Sequence, residues 1–189
     1  MKDFVEAHIE IPVMIPSPEH QSLQNQIHTA PKPSDSTPPL PEAWTSPSPN
    51  IPSTALVSPK ESPLEVGELR LSSEMSTFLS TSIPPNVRNS PVCFFNLFKY
   101  AKNDRRTHDA YMQGFKDNFG DTAGARVRFF GGVWAFGDWM DANLVQYDSV
   151  WHYAYMLSTE AYQELNRMKV AGLEDTCILM LGEMEFFQP

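Results

Sequence analysis

Four residues of this 189-residue chain combine the right chemistry with an unusual setting: His108, Asp141, Asn96 and Tyr147. An imidazole titrates near neutral pH, and a carboxylate against an apolar wall can take up and release a proton. His108 recurs in helical phase with Tyr111 and Phe115, so it points to the same side as an apolar stripe. Asn96 sits in the middle of FFNLF and Tyr147 ends LVQY. Burying such polar groups without partners costs about 1–3 kcal/mol each. Each therefore has a structural partner or orients a ligand's carbonyl. A second imidazole, His152, lies beside Trp151 and is compatible with either a cavity or a solvent position. Around these residues the chain supplies Phe94, Phe98, Phe129, Trp134, Trp139, Trp151, Tyr155 and Met180. They can build an ordinary core, or line an aromatic pocket suited to a small apolar, polycyclic or polyketide-like metabolite.

Other chemistries lack their motifs. The sequence has no GxSxG, no phosphate-binding P-loop, no GxGxxG after a strand and no HExxH. Cys93 and Cys177 lie inside apolar runs without CxxC spacing, as expected of buried reduced thiols. Neither a cofactor nor a metal is expected. The net charge is −9 and no Lys/Arg run occurs, which argues against nucleic acid as a partner. Arg126 and Arg128 read as a charged or paired strand face. No apolar stretch approaches the roughly 20 residues of a membrane span, and a cytoplasmic location is the default expectation.

The elements that must hold these residues lie in the second half of the chain. Of 17 prolines, 15 precede residue 91, whereas 19 of 22 aromatic residues follow it. Residues 1–63 accordingly read as a disordered Pro/Ser-rich region, with PSDSTPPLP and SPSP as candidate partner or phosphorylation segments. An apolar island from Phe4 to Ile15, including Val13, has the pattern of an extended edge segment. Residues 64–88 read as a lead-in helix and linker stopped by Pro84 and Pro85.

Residues 89–189 carry the domain. A two-sided apolar strand spans Pro91 to Ala101, and a helix capped by Thr107 runs to Gly120. A second strand spans Ala125 to Phe136 with a bulge at Gly131–Gly132, and a third runs from Ala142 to Tyr147. A second helical region opens at Asp148 or Ser149 and breaks near Ser158–Thr159. It resumes with Ala161, Leu165, Met168 and Gly172 along one face, and a last strand starts at Thr176. The order β-α-β-β-α-β is ferredoxin-like: an α+β fold with a four-stranded antiparallel sheet and two helices on one face. The opposite sheet face, with Cys93, Phe95, Leu97, Leu179 and Leu181, is too apolar for water. An isologous homodimer is the expected cover.

From Asn89 to Phe187 the sequence resembles the DUF1330 family of the dimeric α/β-barrel superfamily. The resemblance rests on PVCFFNLFKY with Asn96, on Tyr111 and Gly131, and on DWMDANLVQYDS with Trp139, Tyr147 and Ser149. It continues through STEAYQELNRMKVAGLEDT with Tyr162 and Gln163. Met140 stands where the family has an aspartate, which makes Asp141 one position late. Lys169 aligns with a family arginine, and Arg167 lies two positions earlier. The resemblance implies a dimeric barrel and a superfamily of cyclases, isomerases, cofactor-free monooxygenases and stress-type proteins. Together with the pocket composition it gives the functional expectation: a cofactor-independent enzyme or accessory protein of secondary metabolism. Such an enzyme would use His108 or Asp141 as base, with Asn96 and Tyr147 orienting a carbonyl. The alternative is a non-catalytic ligand-binding or stress-type dimer whose tail contacts a partner.

Overall fold

The computed structural model describes residues 13–14, 40–45, 67–103, 105–119, 124–134 and 136–182. The sheet contains β1 (Val13–Met14), β2 (Val92–Tyr100), β3 (Ala125–Val133), β4 (Asp141–Tyr147) and β5 (Leu173–Gly182). Its order is β1-β3-β4-β2-β5, and every neighbouring pair is antiparallel. Without the two-residue edge β1, this is the ferredoxin-like arrangement, with β2 and β4 at the centre.

The central strands explain the two-sided apolar run. Side chains alternate between faces along a strand. Val92, Phe94, Asn96, Phe98 and Tyr100 are all buried on one face of β2. Their partners on β4 are Tyr147, Val145, Asn143 and Asp141, opposite Val92, Phe94, Asn96 and Phe98 respectively. Met180, Ile178 and Thr176 of β5 lie opposite Phe94, Asn96 and Phe98 on the other side. One register thus lines up Asn96, Asp141 and Tyr147 on a single sheet face.

Three helices cover that face: α4 (Arg106–Phe119), α5 (Val150–Ser158) and α6 (Glu160–Gly172). Before them come the short helices α1 (Glu42–Thr45), α2 (Ser73–Thr77) and α3 (Pro85–Arg88). Ser149 caps α5, its Oγ accepting from the backbone N–H of Trp151 at 3.2 Å and of His152 at 3.4 Å. Thr159 caps α6 through Tyr162 N–H, so the helical region breaks where the Ser-Thr pair indicated. Helices α4 and α6 meet closely at Gly172. A Cβ there would lie 3.0 Å from the backbone N of His108, so the missing side chain is what lets the two helices approach.

Several expectations change. Thr107 lies inside the first turn of α4 rather than capping it, because the helix already begins at Arg106. Gly131 and Gly132 pair regularly with Ala142 and Asp141, and the strand irregularity falls between Val127 and Phe129. The last strand begins at Leu173, three residues early, and its polar start is anchored by Lys99 to Glu174 at 2.8 Å. The buried stripe of α6 is Tyr162, Asn166, Lys169 and Gly172, while Ala161 and Met168 face solvent. Apolar spacing picked the wrong face there, because the face that packs inward carries a phenol, an amide and an amine.

The lead-in segment is part of the core rather than a linker. Leu71, Leu79 and Ile83 are buried, and the Leu69 carbonyl accepts from Gln163 Nε2 (3.2 Å) and Asn166 Nδ2 (3.1 Å) on α6. Even within the Pro-rich region, Trp44 of α1 is buried and meets the Tyr155 ring edge-on at 5.5 Å. Val13–Met14 pairs with Val133 and Gly132 at the sheet edge, as the apolar island suggested. PSDSTPPLP and SPSP lie outside the described residues.

The sheet face away from the helices carries Cys93, Phe95, Phe129 and Leu144, with Leu179 and Leu181 47% and 49% exposed. Arg126 and Arg128 also belong to this side. Arg126 forms a two-pronged pair with Asp148 at 2.6 and 3.2 Å, and Arg128 bonds Gln146. Among the described residues, no helix is long and apolar enough to cross a membrane.

Candidate functional site

Between the sheet and α4, α5 and α6 lies a cavity of about 30 Å³. Its apolar wall includes Phe94, Phe98, Phe115, Val145, Met156 and Ile178. Its polar groups are Asn96, Asn143, Tyr111, Tyr147, Tyr153, Tyr162 and Lys169. No Asp or Glu is among its described lining residues.

The two amides are not equivalent. Asn96 Nδ2 donates to Asn143 Oδ1 at 2.6 Å and to the Phe94 carbonyl at 3.2 Å. Both N–H groups of Asn96 are thereby used. Among the described residues, Asn143 Nδ2 has only the Met112 sulfur, at 3.8 Å. A thioether is a weak acceptor, so Asn143 holds the amide donor that a ligand oxygen would most easily claim.

Four phenols ring the same space. Burial pushes the Tyr147 and Tyr153 hydroxyls well above the ordinary phenol range, so they remain donors throughout the physiological pH range. Tyr111 is pushed up to about 12 by burial, partly opposed by its hydrogen bond with Tyr162. Tyr147 donates to the Met156 sulfur at 3.4 Å, another soft partner that is easily replaced.

Lys169 was not among the candidates read from the sequence. Its side chain is only 2% exposed, and no hydrogen bond or ion pair joins it to another described residue. Burial alone lowers its pKa from 10.5 to about 7, because an ammonium ion loses its hydration there and gains no counter-ion. A large fraction of the amine is neutral at physiological pH.

The expected bases sit elsewhere. His108 is fully buried against the rings of Phe98, Tyr100 and Tyr111, with centroids 4.4, 5.1 and 5.5 Å away. Neither ring nitrogen has a partner among the described residues. Burial, followed by the charge of Lys169, lowers its pKa from 6.5 to about 4. It packs behind Phe98 and Tyr111, one layer outside the cavity. Asp141 accepts from Tyr100 Oη at 2.5 Å and pairs with Arg105 at 3.2 Å, and does not border the cavity. His152 bonds Ser149 Oγ at 2.9 Å near the start of α5 and is also outside it.

Of the six aromatic residues expected to form the pocket, Phe94 and Phe98 line the cavity. Phe129 lies against Phe95 on the other sheet face, and Trp134 is 62% exposed. Trp139 is half-buried in the turn before β4, and Trp151 is core, its Nε1 donating to Asn89 Oδ1 at 3.0 Å. Among the described residues no cluster of three His, Cys, Asp or Glu side chains is arranged to hold a metal.

An open groove of about 590 Å³ lies outside the cavity, between α4 and β3, lined by Asp109, Met112, Gln113, Lys116, Arg126, Val127 and Phe130 among others. Met112 borders both spaces, so its flexible thioether is the side chain that separates them.

No family model matches the chain, and no curated protein matches it. Among solved structures, a protein of unknown function from Rhodopseudomonas palustris is similar over 65% of this chain and 99% of its own, with TM-score 0.51 and 19% identity. The hydroxynitrile lyase from Passiflora edulis is similar over 53% of this chain and 99% of its own (TM-score 0.44, 12% identity). A dimeric protein of unknown function and ferredoxin-like fold from Bacteroides fragilis covers 49% of this chain and 96% of its own (TM-score 0.38, 14% identity). At 19% identity the similarity to the Rhodopseudomonas palustris protein concerns the fold.

Proposed function

We propose that the domain is a small cofactor-independent enzyme that moves a proton on an apolar carbonyl metabolite, in the manner of an isomerase or cyclase of secondary metabolism. The supporting observation is the cavity itself: among its described lining residues, an apolar wall with one amine, two carboxamides and four phenols, and no carboxylate. Proton abstraction beside a carbonyl needs a base that is neutral at working pH and donors aimed at the oxygen that becomes negative. Lys169 meets the first need, and Asn143 with Tyr147 the second. His108 and Asp141 then act from outside the cavity, His108 as packing behind Phe98 and Tyr111 and Asp141 as an anchor for Tyr100 and Arg105.

Size restricts the substrate. A space of about 30 Å³ holds roughly two waters, so even an aldehyde or ketone of three or four heavy atoms enters only as flexible lining side chains such as Met112 give way. A larger aromatic or polyketide-like ligand requires Met112 to swing aside and join the cavity to the groove. The reading is tested by the exchange of acetone α-protons in deuterated buffer, followed by NMR. The native chain should exchange them faster than buffer, and Asn143→Leu should lose about a hundredfold of that rate. Native exchange no faster than that of the variant would overturn it.

Two copies pairing through the sheet face that bears Phe95, Phe129, Leu179 and Leu181 complete the proposal. That cover removes apolar surface from water at roughly 25 cal/mol per Å². Native mass spectrometry at micromolar concentration should return twice the chain mass. A monomer there would remove the pairing from the proposal without touching the cavity.

A further inference from the structure

We infer that Lys169 is a covalent amine, forming an imine with a small aldehyde or ketone held in the cavity between the sheet and α4, α5 and α6. The inference rests on the reading that this cavity takes a carbonyl compound, and it names the bond by which the compound is held.

Three observations lead to it. The Lys169 side chain is almost wholly buried and borders a cavity rather than solvent. A buried lysine ordinarily has a carboxylate partner, yet no described residue bonds or pairs with it, and the described lining has no acid. The groups that do face the same space are hydroxyl and amide donors, which suit an oxygen leaving a carbonyl carbon. An amine that is neutral near pH 7 in such a setting is a nucleophile.

The step balances without an oxidant or reductant. The Nζ lone pair adds to the carbonyl carbon while the C=O π pair moves to oxygen, which takes a proton. Nitrogen loses a proton, the hydroxyl takes up a second proton and leaves as water as C=N forms, and the protonated imine so made gives up its remaining N–H proton to become the neutral imine. Amine and carbonyl become imine and water. The protonated imine withdraws electrons from its α-carbon more strongly than the carbonyl did, which connects the bond to the proton transfer proposed above. Tyr111, Tyr147, Tyr153 and Tyr162 line the same cavity as Lys169, and Tyr147 O–H has a soft sulfur partner that a departing hydroxyl would readily replace.

The experiment uses the full chain with substoichiometric acetaldehyde and sodium cyanoborohydride at pH 7.4, followed by peptide mapping. Reduction converts an imine into N-ethyl-lysine and fixes its position. An ordinary solvated lysine is neutral in only about one part in a thousand at this pH, and Lys116, exposed on α4, serves as the reference for slow labelling. Lys169 should be labelled at least about tenfold faster than Lys116. Lys169→Met, which keeps the length and apolar stem but has no amine, should lose the fast label and retain the slow ones. Met112→Ala, which opens the wall between groove and cavity, should accelerate labelling of Lys169 alone. Labelling of Lys169 no faster than Lys116 overturns the inference. Acetone exchange separates the two proposals. Exchange by the native chain without fast labelling of Lys169 overturns the imine and leaves proton transfer with Lys169 as base standing. Fast labelling without exchange supports the imine and overturns proton transfer.

Discussion

Lys169→Met should stabilise the domain by about 5 kcal/mol at pH 6, and by progressively less as the pH rises. The amine has a pKa near 7 when folded against 10.5 when exposed. Between these values the unfolded chain binds a proton that the folded chain does not, so native stability rises with pH, by about 1.4 kcal/mol per pH unit. Below pH 7 both states are protonated and the whole penalty is present. Above 10.5 neither is, and it vanishes. Burial also raises the Cys93 thiol and the core phenols, which opposes the trend at the alkaline end. The clean window is therefore about pH 7 to 8.5, read as the difference between native and variant urea midpoints. A native protein whose midpoint is flat across that window, or a variant that is less stable than native at pH 6, would show that the amine has a counter-charge. Methionine keeps the length and apolar stem of lysine, so packing contributes little to the difference. A residue that lowers stability this much without a structural partner has the character of a functional group.

The sequence revealed the frame of this site better than its chemistry. Strand β2 was legible because its apolar residues continue through both faces, with Asn96 as a lone polar interruption at the centre. Ser149 and the Ser158–Thr159 pair were legible because a hydroxyl before a helical run has one obvious task, accepting from the first N–H groups. The partnership of Asn96 with Asn143 follows from register, which pairing across 47 residues sets and local pattern does not. Lys169 was hidden for a different reason. In EAYQELNRMKVAG a lysine between methionine and valine reads as a solvent-facing charge, and charged residues are rarely fully buried. Its phase with Tyr162 and Asn166, seven and three residues earlier, was the available signal. The apolar stripe of Leu165 and Met168 outweighed it. Trp44 shows the complementary error, because composition averaged over a Pro-rich region conceals a single aromatic residue that docks on Tyr155.

His108→Phe should remove about 3 kcal/mol of acid sensitivity while leaving the alkaline behaviour of Lys169 unchanged. The folded imidazole titrates near 4 and the exposed one near 6.5. As the pH falls from 6.5 to 4 the unfolded chain gains a proton that the folded chain refuses, so stability is lost across that interval and not above it. Burial is the main cause. The charges around the ring are Lys169 from α6, which opposes protonation, Asp109, which favours it, and Arg105, which opposes it. Carboxylates titrate in the same range, so the quantity to measure is again the difference between native and variant midpoints, here between pH 6.5 and 4.5. A difference that does not change across this interval would mean that His108 is hydrated or partnered when folded. Because Lys169 helps to hold His108 neutral, Lys169→Met should raise the imidazole pKa and shrink the acid loss, and the two substitutions should not be additive. The same pair separates structure from mechanism. If His108 serves only to fill the space beneath Phe98, Tyr100 and Tyr111, the phenylalanine variant gains stability in acid and keeps its acetone exchange. If it relays protons to the cavity amine, exchange falls while reductive labelling of Lys169 continues, an outcome that packing alone does not produce.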